Sequence, residues 1–318
     1  MEIGITGTHK KEGSMTDVVS KPIFGVAGFP PAFFKSEYKK KRENIFAWLR
    51  SIDLDWVELQ CTYGVKMKDD QALLYKRLAD ENNIGISLHA PYFITLASNK
   101  NEVVKNSKER ILQCFALADK INSKRIIFHP GHFTNNADDS RKTAIKKIVN
   151  GLNELKNDVP DGINIFPETA GKRSQIGSVE EILDICEQVS YARPCIDVAH
   201  VHGFERGCLK TPESIIDILN IIEKRLGAEY LKQTHFHMYP VEIDNNGEKK
   251  HKAFHDRIEE KQNDFFESPA DRYYPLAEDF ITAIKAKDIK PVIICEARDS
   301  QEQGARLMSS IYNEEDFL

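Results

Sequence analysis

The chain has 318 residues, 41% hydrophobic and 29% charged, with a formal net charge of −5. That length and apolarity can bury a sizeable core, which excludes a disordered or fibrous protein. The negative balance excludes nucleic-acid binding through bulk charge alone, so any such contact needs a local basic surface or bound metal.

The N-terminal "MEIGITGTHKKEGSMTD" reads as part of a polar leader over residues 1–20 and lacks the apolar stretch of a signal peptide. No window approaches the roughly eighteen consecutive apolar residues of a membrane span. The six cysteines (Cys61, Cys114, Cys186, Cys195, Cys208 and Cys295) form no CxxC pair, and most lie in apolar runs where a thiol behaves as a small hydrophobe. A cytoplasmic protein without disulfides is expected.

From there, short β-rich runs alternate with longer helical patterns. The predicted strands are "PIFGVAG" (22–28), "DWVELQC" (55–61), "GISLHA" (85–90), "RIIFHPG" (125–131), "INIFPET" (163–169), "RPCIDVAH" (193–200), "THFHMY" (234–239) and "PVIICEA" (291–297). Several are almost continuously apolar, as parallel strands covered on both faces are. Segments such as "KKRENIFAWLRSI", "KERILQCFALADKI" and "VEEILDICEQVS" repeat apolar residues at helical spacing, the last behind an N-cap at Ser178. Eight strand–helix units predict a (β/α)8 TIM barrel. An open doubly wound sheet would carry a glycine-rich phosphate loop after the first strand, and "FGVAGFPPAFF" is not one. No linker or repeat divides the chain, so residues 1–318 are expected to form one domain. A long polar insertion at 241–270 falls between strands seven and eight, at the C-terminal face.

The strand ends carry the functional signal. His89, His129, Glu168, Asp197 with His200, His235 with His237, and Glu296 follow one another on strands three to eight. In a barrel these ends ring one mouth, and imidazole and carboxylate are the ligand types for zinc, manganese or iron. A single strand-end histidine is more often a hydrogen-bonded rim residue. Six successive strands ending this way would bury a great deal of uncompensated charge unless a cation is bound. Counting His251 of the insertion, the ligands exceed the four or so that one metal needs. The surplus favours two or three ions bridged by a carboxylate such as Glu168, an arrangement suited to phosphoryl chemistry.

The segments "LHAPYFITLAS", "FHPGHF", "PETAGKRSQIGS", "CIDVAHVHGFERG" and "ICEARD" resemble, in order, the signature segments of the endonuclease IV family of apurinic/apyrimidinic endonucleases. "FGVAGFPPAFFKS" and "VELQCTYGVKM" look most like its divergent, archaeal-type branch. The resemblance implies a trinuclear zinc centre, with manganese as the alternative, that hydrolyses the phosphodiester 5′ of an abasic site in double-stranded DNA. On matching positions it implies His89 and His129 at a first metal. Glu168 would bridge to a second, held also by Asp197, His237 and Glu296, and His200 and His251 would hold a third. Glu168 and Glu296 are the implied catalytic carboxylates, Glu296 helping to orient water, and Tyr92 matches a side chain that probes the DNA.

The match departs where Lys249 stands two residues before His251, in place of a third-metal carboxylate. Glu242, Glu248 and Asp256 are each candidates to replace it, and His235 is a further candidate ligand. Basic clusters occur at 38–43, 171–174 and 248–252. Lys172 and Arg173, just after Glu168, are expected to contact phosphate, and "GFPPAFF" and "HFTNN" are candidate DNA-facing loops. A monomer that meets no membrane is expected. Two alternatives stand beside the nuclease: a single-metal sugar isomerase or epimerase using Glu168 and Glu296 for proton transfer, and a catalytically weak DNA-lesion binder lacking the third metal.

Overall fold

The computed structural model describes residues 21–132, 140–256, 258 and 272–315. The expected leader and the "HFTNN" loop beyond His132 therefore lie outside the described residues, as does most of the insertion past Asp256.

Each strand run forms a strand where expected. They are β1 (Ile23–Ala27), β2 (Trp56–Gln60), β3 (Gly85–His89), β4 (Arg125–Phe128), β5 (Asn164–Pro167), β6 (Cys195–Asp197), β7 (His235–Met238) and β10 (Val292–Cys295). All pair in parallel, in the order β5-β4-β3-β2-β1-β10-β7-β6. The two ends of that order meet through the parallel bridges Glu168↔Cys195 and Ile165↔Ala192 and the bond from Thr169 N–H to Cys195 O (3.1 Å), which close the barrel. Around it lie α1 (Ile45–Ser51), α2 (Asp69–Asn82), α3 (Asn101–Lys120), α4 (Arg141–Asn153), α5 (Val179–Gln188), α6 (Val198–Phe204), α7 (Pro212–Leu226), α8 (Ala228–Gln233), α9 (Ala277–Ala286) and α10 (Gln301–Asn313). The N-cap expected at Ser178 is a full capping box with Glu181.

Period-two alternation of the strands sorts their side chains. Phe24, Val26, Val57, Leu59, Ile86, Leu88, Phe128, Ile165, Ile196, Phe236, Met238 and Ile293 belong to the large core shared with the helices. Ile127, Phe166 and Cys195 form a separate small cluster inside the barrel. The inward positions one step nearer the C-terminal end are His129, Glu168 and Asp197, so the strand-end ligands are the top layer of the barrel's filling.

Two of the expectations are corrected. The sixth strand stops at Asp197, and His200 lies in the first turn of α6, with the Asp197 carboxylate accepting from His200 N–H at 2.8 Å. The insertion does not begin as an irregular loop: Val241–Asp244 (β8) and Gly247–His251 (β9) form an antiparallel hairpin.

Glycine at 85 is required by packing. A Cβ there would sit 2.0 Å from the Trp56 ring, whose indole N–H donates to Ser87 Oγ at 3.0 Å. Gly85→Ala should destabilise the protein by about 1–3 kcal/mol through overpacking. Urea unfolding would read this as a lowered midpoint, and an unchanged midpoint would contradict the packing account.

Candidate metal centre at the barrel mouth

The centre is organised around Glu168, 1% exposed one residue beyond β5. Its Oε2 lies 3.1 Å from His89 Nε2 and 3.5 Å from His129 Nε2, and its Oε1 lies 3.1 Å from His237 Nδ1 and 3.3 Å from His200 Nδ1. Four imidazoles from four different segments thus face one carboxylate. Asp197 Oδ2 stands 3.3 Å from His200 Nδ1 and 3.8 Å from His237 Nδ1, and Glu296 Oε1 is 3.7 Å from His237 Nδ1. Three overlapping groups have ligand atoms close enough to share a cation: His89–His129–Glu168, Glu168–Asp197–His200 and Asp197–His237–Glu296.

Backbone carbonyls set the tautomers. A carbonyl only accepts, so the Nδ1–H groups of His89, His200 and His251 donate to Ala90 O (2.9 Å), Thr169 O (2.8 Å) and Glu296 O (3.0 Å). Each Nε2 is then free to face the mouth, the arrangement by which outer hydrogen bonds orient metal-binding imidazoles.

The hairpin adds a fourth constellation. Glu248 bridges two imidazoles, with Oε2 2.9 Å from His200 Nε2 and Oε1 2.9 Å from His251 Nε2. Close approach permits it: a Cβ on Gly171 would fall 2.3 Å from Glu248 Oε2, and one on Gly203 would fall 2.8 Å from Glu248 N. Glu242 does not join this cluster, pairing instead with Lys249 and with Lys252 (2.8 Å). Asp256 accepts from Ala253 N–H at 3.0 Å and stays outside it as well.

Whether these side chains suit cations can be judged from what they leave unsatisfied. Asp197 Oδ2 and His129 Nδ1 are buried without a hydrogen-bond partner. Burial pushes the Asp197 carboxyl up to about 7, with Glu168 adding to the rise and His200 opposing it. Burial pushes His129 down to about 4, against the pull of Glu168. Glu168 is held well below the usual carboxylate range because the surrounding imidazoles outweigh its burial. A divalent cation would give Asp197 Oδ2 a partner and stabilise every carboxylate in its charged form, so the donor set fits.

Of the other expected contacts, Tyr92 is 57% exposed and its ring stacks on His129, with centroids 5.9 Å apart at 11°. Lys172 is exposed, its backbone bridging to Gly247. Arg173 donates to Phe204 O (3.0 Å) and lies 3.8 Å from Glu205, so it leans on α6. His235 turns away from the mouth toward Glu58 on β2 (3.1 Å), a fully buried carboxylate that sequence reading passed over. Its signal was available: in "WVELQ" the glutamate alternates with Val57 and Leu59, which face the helices, so it must face the barrel axis. Tyr239 was also missed, and its buried ring stacks on His251 at 4.0 Å.

Fold and centre together define an eight-stranded parallel barrel whose C-terminal mouth carries a multi-ligand histidine–carboxylate cluster. The chain belongs to the family described as xylose isomerase-like TIM barrel, which matches residues 46–312. It is 30% identical over 292 residues to an uncharacterized protein of Methanocaldococcus jannaschii, covering 92% of this chain and 97% of that one. It is 27% identical over 191 residues to a probable endonuclease 4 of a Thermotoga species, and 31% over 180 residues to that of Staphylococcus saprophyticus. Those two alignments span 57% and 54% of this chain and only 65% and 56% of the relatives' own length. Among solved structures, endonuclease IV from Thermus thermophilus superposes with a TM-score of 0.62 at 12% identity, over 92% of this chain and all of that one. The 3-keto-D-glucoside 4-epimerase from E. coli gives 0.63 at 13% with the same coverage. Such likeness shows the fold alone and does not choose between the two chemistries.

In the metal-free protein His89 and His251 are held up to about 9: burial lowers both, and Glu168 and Glu248 respectively outweigh it. Both are therefore protonated at pH 7 and must lose that proton to bind metal. Zinc uptake at pH 7 should release protons, and affinity should rise with pH until about pH 9. Calorimetry in two buffers of different ionisation enthalpy measures the release, and a buffer-independent heat would contradict it.

Proposed function

We propose that the protein is a metal-dependent phosphodiesterase acting on DNA, cleaving 5′ of abasic sites as the resemblance of its sequence segments to the endonuclease IV family implies. The observation that carries this reading is the surplus of ligands: beyond Glu168, Asp197, His237 and Glu296, the cluster also holds His89 and His129 on one side and His200, Glu248 and His251 on the other. A single-metal isomerase or epimerase needs only the first four, and would leave five further ionisable groups of the cluster without a task.

On this reading His89 and His129 hold a first cation, with Glu168 bridging to a second held by Asp197, His237 and Glu296. His200, Glu248 and His251 hold a third, and Glu248 takes the part of the carboxylate expected two residues before His251. Zinc suits the mixed nitrogen and oxygen donors. When bound, the cations supply Lewis acidity toward the phosphate and toward water. The protein's own groups do the positioning: the Ala90, Thr169 and Glu296 carbonyls fix three imidazole orientations, and Glu168 holds two sites at a fixed spacing. Exposed Tyr92, seated over His129, offers a flat face to a nucleotide beside the lesion. Lys172 is free to neutralise phosphate, whereas Arg173 would have to leave Phe204 O and Glu205 to do so.

The test is incubation of zinc-loaded protein with a duplex carrying one tetrahydrofuran abasic analogue, beside an intact duplex, with and without chelator. Incision 5′ of the analogue, abolished by chelator, is expected. No incision by protein shown to hold its metals would shift the assignment to epimerisation through Glu168 and Glu296. Retention of the lesion duplex without incision would favour a lesion binder.

Two substitutions refine the roles. Glu168→Gln should cost at least about 100-fold in kcat, because a neutral amide cannot bridge two cations; near-normal hydrolysis would remove the bridging role. Glu248→Gln should lower third-metal affinity by about 10–100-fold, read by metal content after dialysis, whereas Glu242→Gln should leave it unchanged.

A further inference from the structure

One layer beneath the mouth, the interior of the barrel is divided. On the side of β4, β5 and β6 it is filled by Ile127, Phe166 and Cys195, the bulky apolar packing ordinary for such a core. On the side of β2, β3 and β7 it holds Glu58, Ser87 and His235, all 0% exposed. Glu58 Oε2 lies 3.1 Å from His235 Nε2 and its Oε1 lies 3.1 Å from His237 Nε2, so each carboxylate oxygen faces one imidazole. The ligand atoms of these three residues are mutually close enough for one ion.

Three observations make this more than a buried ion pair. First, His235 Nδ1 and Nε2 and His237 Nε2 have no hydrogen-bond partner, so neither ring aims an N–H along its short contact to Glu58. At 3.1 Å from the two carboxylate oxygens, the nitrogens are within reach of an ion shared with Glu58. Second, the Glu58 charge forms no ion pair with a lysine or arginine among the described residues. Arg125, which enters the same region, is engaged by Gln233 O (2.9 Å) and the Phe166 ring. Third, the carboxylate is held in place from behind: Trp56 Nε1 donates to Ser87 Oγ at 3.0 Å, and Ser87 Oγ donates to Glu58 Oε2 at 2.9 Å. Ordered outer hydrogen bonds of this kind accompany metal-binding carboxylates.

We propose that Glu58, His235 and His237 form an inner divalent-cation site beneath the mouth, separate from the ligand groups described above but sharing His237. Two imidazole nitrogens and a bidentate carboxylate supply the four donors of a closed zinc site. His237 presents Nδ1 to Glu168 and Nε2 to Glu58, so with both sites filled it bridges them as an imidazolate and its ring proton passes to solvent. The Glu58 carboxylate and a share of the imidazolate charge then offset much of the charge of the inner ion, which lowers the cost of a dication in a fully buried layer.

The test is metal content, which an enzymatically silent protein reports equally well and which is independent of the nuclease reading. The full chain is saturated with zinc, freed of excess by gel filtration and counted by atomic spectrometry, beside His235→Asn and Glu58→Gln. Each variant should hold one zinc fewer per chain than the wild type, with an unchanged circular dichroism spectrum. Equal zinc content in all three would overturn the proposal. Should a variant fail to fold, anomalous scattering at the zinc edge from wild-type crystals decides: a peak enclosed by Glu58, His235 and His237 supports the site, and its absence at saturating zinc refutes it.

Discussion

The structure turns on one buried charge. Glu168 is a carboxylate at 1% exposure, encircled by His89, His129, His200 and His237. An isolated carboxylate there would be untenable, and the surrounding imidazoles outweigh that burial and keep it charged. Protons divide unevenly around it: His89 is held up to about 9 while His129 is pushed down to about 4. Meanwhile Asp197, pushed up to about 7, keeps an orphaned oxygen. A divalent cation would give that oxygen a partner and favour the charged form of both carboxylates. The barrel supplies the rigidity this needs, with each ligand carried at the end of a different strand or held by a backbone carbonyl.

The same alternation that builds the core builds the site. Outward strand residues such as Val57, Leu88, Phe128 and Phe236 join the helical layer, and the intervening ones must point at the axis. Near the strand ends Glu168, Asp197 and His237 are as buried as the core, and they are held there by facing one another and the neighbouring imidazoles. One layer lower the axis is dry, and Glu58 and His235 are tolerated only because they face each other and His237.

Much of this was legible in the sequence. All eight strands fall within the predicted runs because parallel, doubly covered strands write continuous apolar segments, and the ligands stood out by interrupting those segments at one end. Less visible features depended on contacts between distant segments. Glu58 is a lone acid inside "WVELQ", and only the barrel's inward phase, meeting β7 across the axis, gives it a role. His200 read as part of a strand because "CIDVAH" is apolar in most of its length, yet the Asp197 carboxylate caps a new helix and turns the chain. The one signal for the change was Asp197 itself, an N-cap residue type that the apolar run around it obscured.

The choice among Glu242, Glu248 and Lys249 shows what spacing alone misses. On a regular strand, residues two apart share a face, which would put Lys249 beside His251. In the hairpin Glu242 pairs with Lys250 and Ile243 pairs with Glu248, leaving Lys249 as the extra residue of a β-bulge. The bulge shifts the phase by one, so Glu248 and His251, three residues apart, face the mouth together, while Lys249 swings out to Glu242. The lysine that seemed to break the expected ligand pattern is thus outside the pattern altogether. It also follows that the barrel proper carries the groups assigned to the first two cations, whereas Glu248 and His251 come from a hairpin laid over it through the close approach at Gly171 and Gly203. Completion of the third constellation therefore depends on a short surface element whose register is set by a single bulged residue.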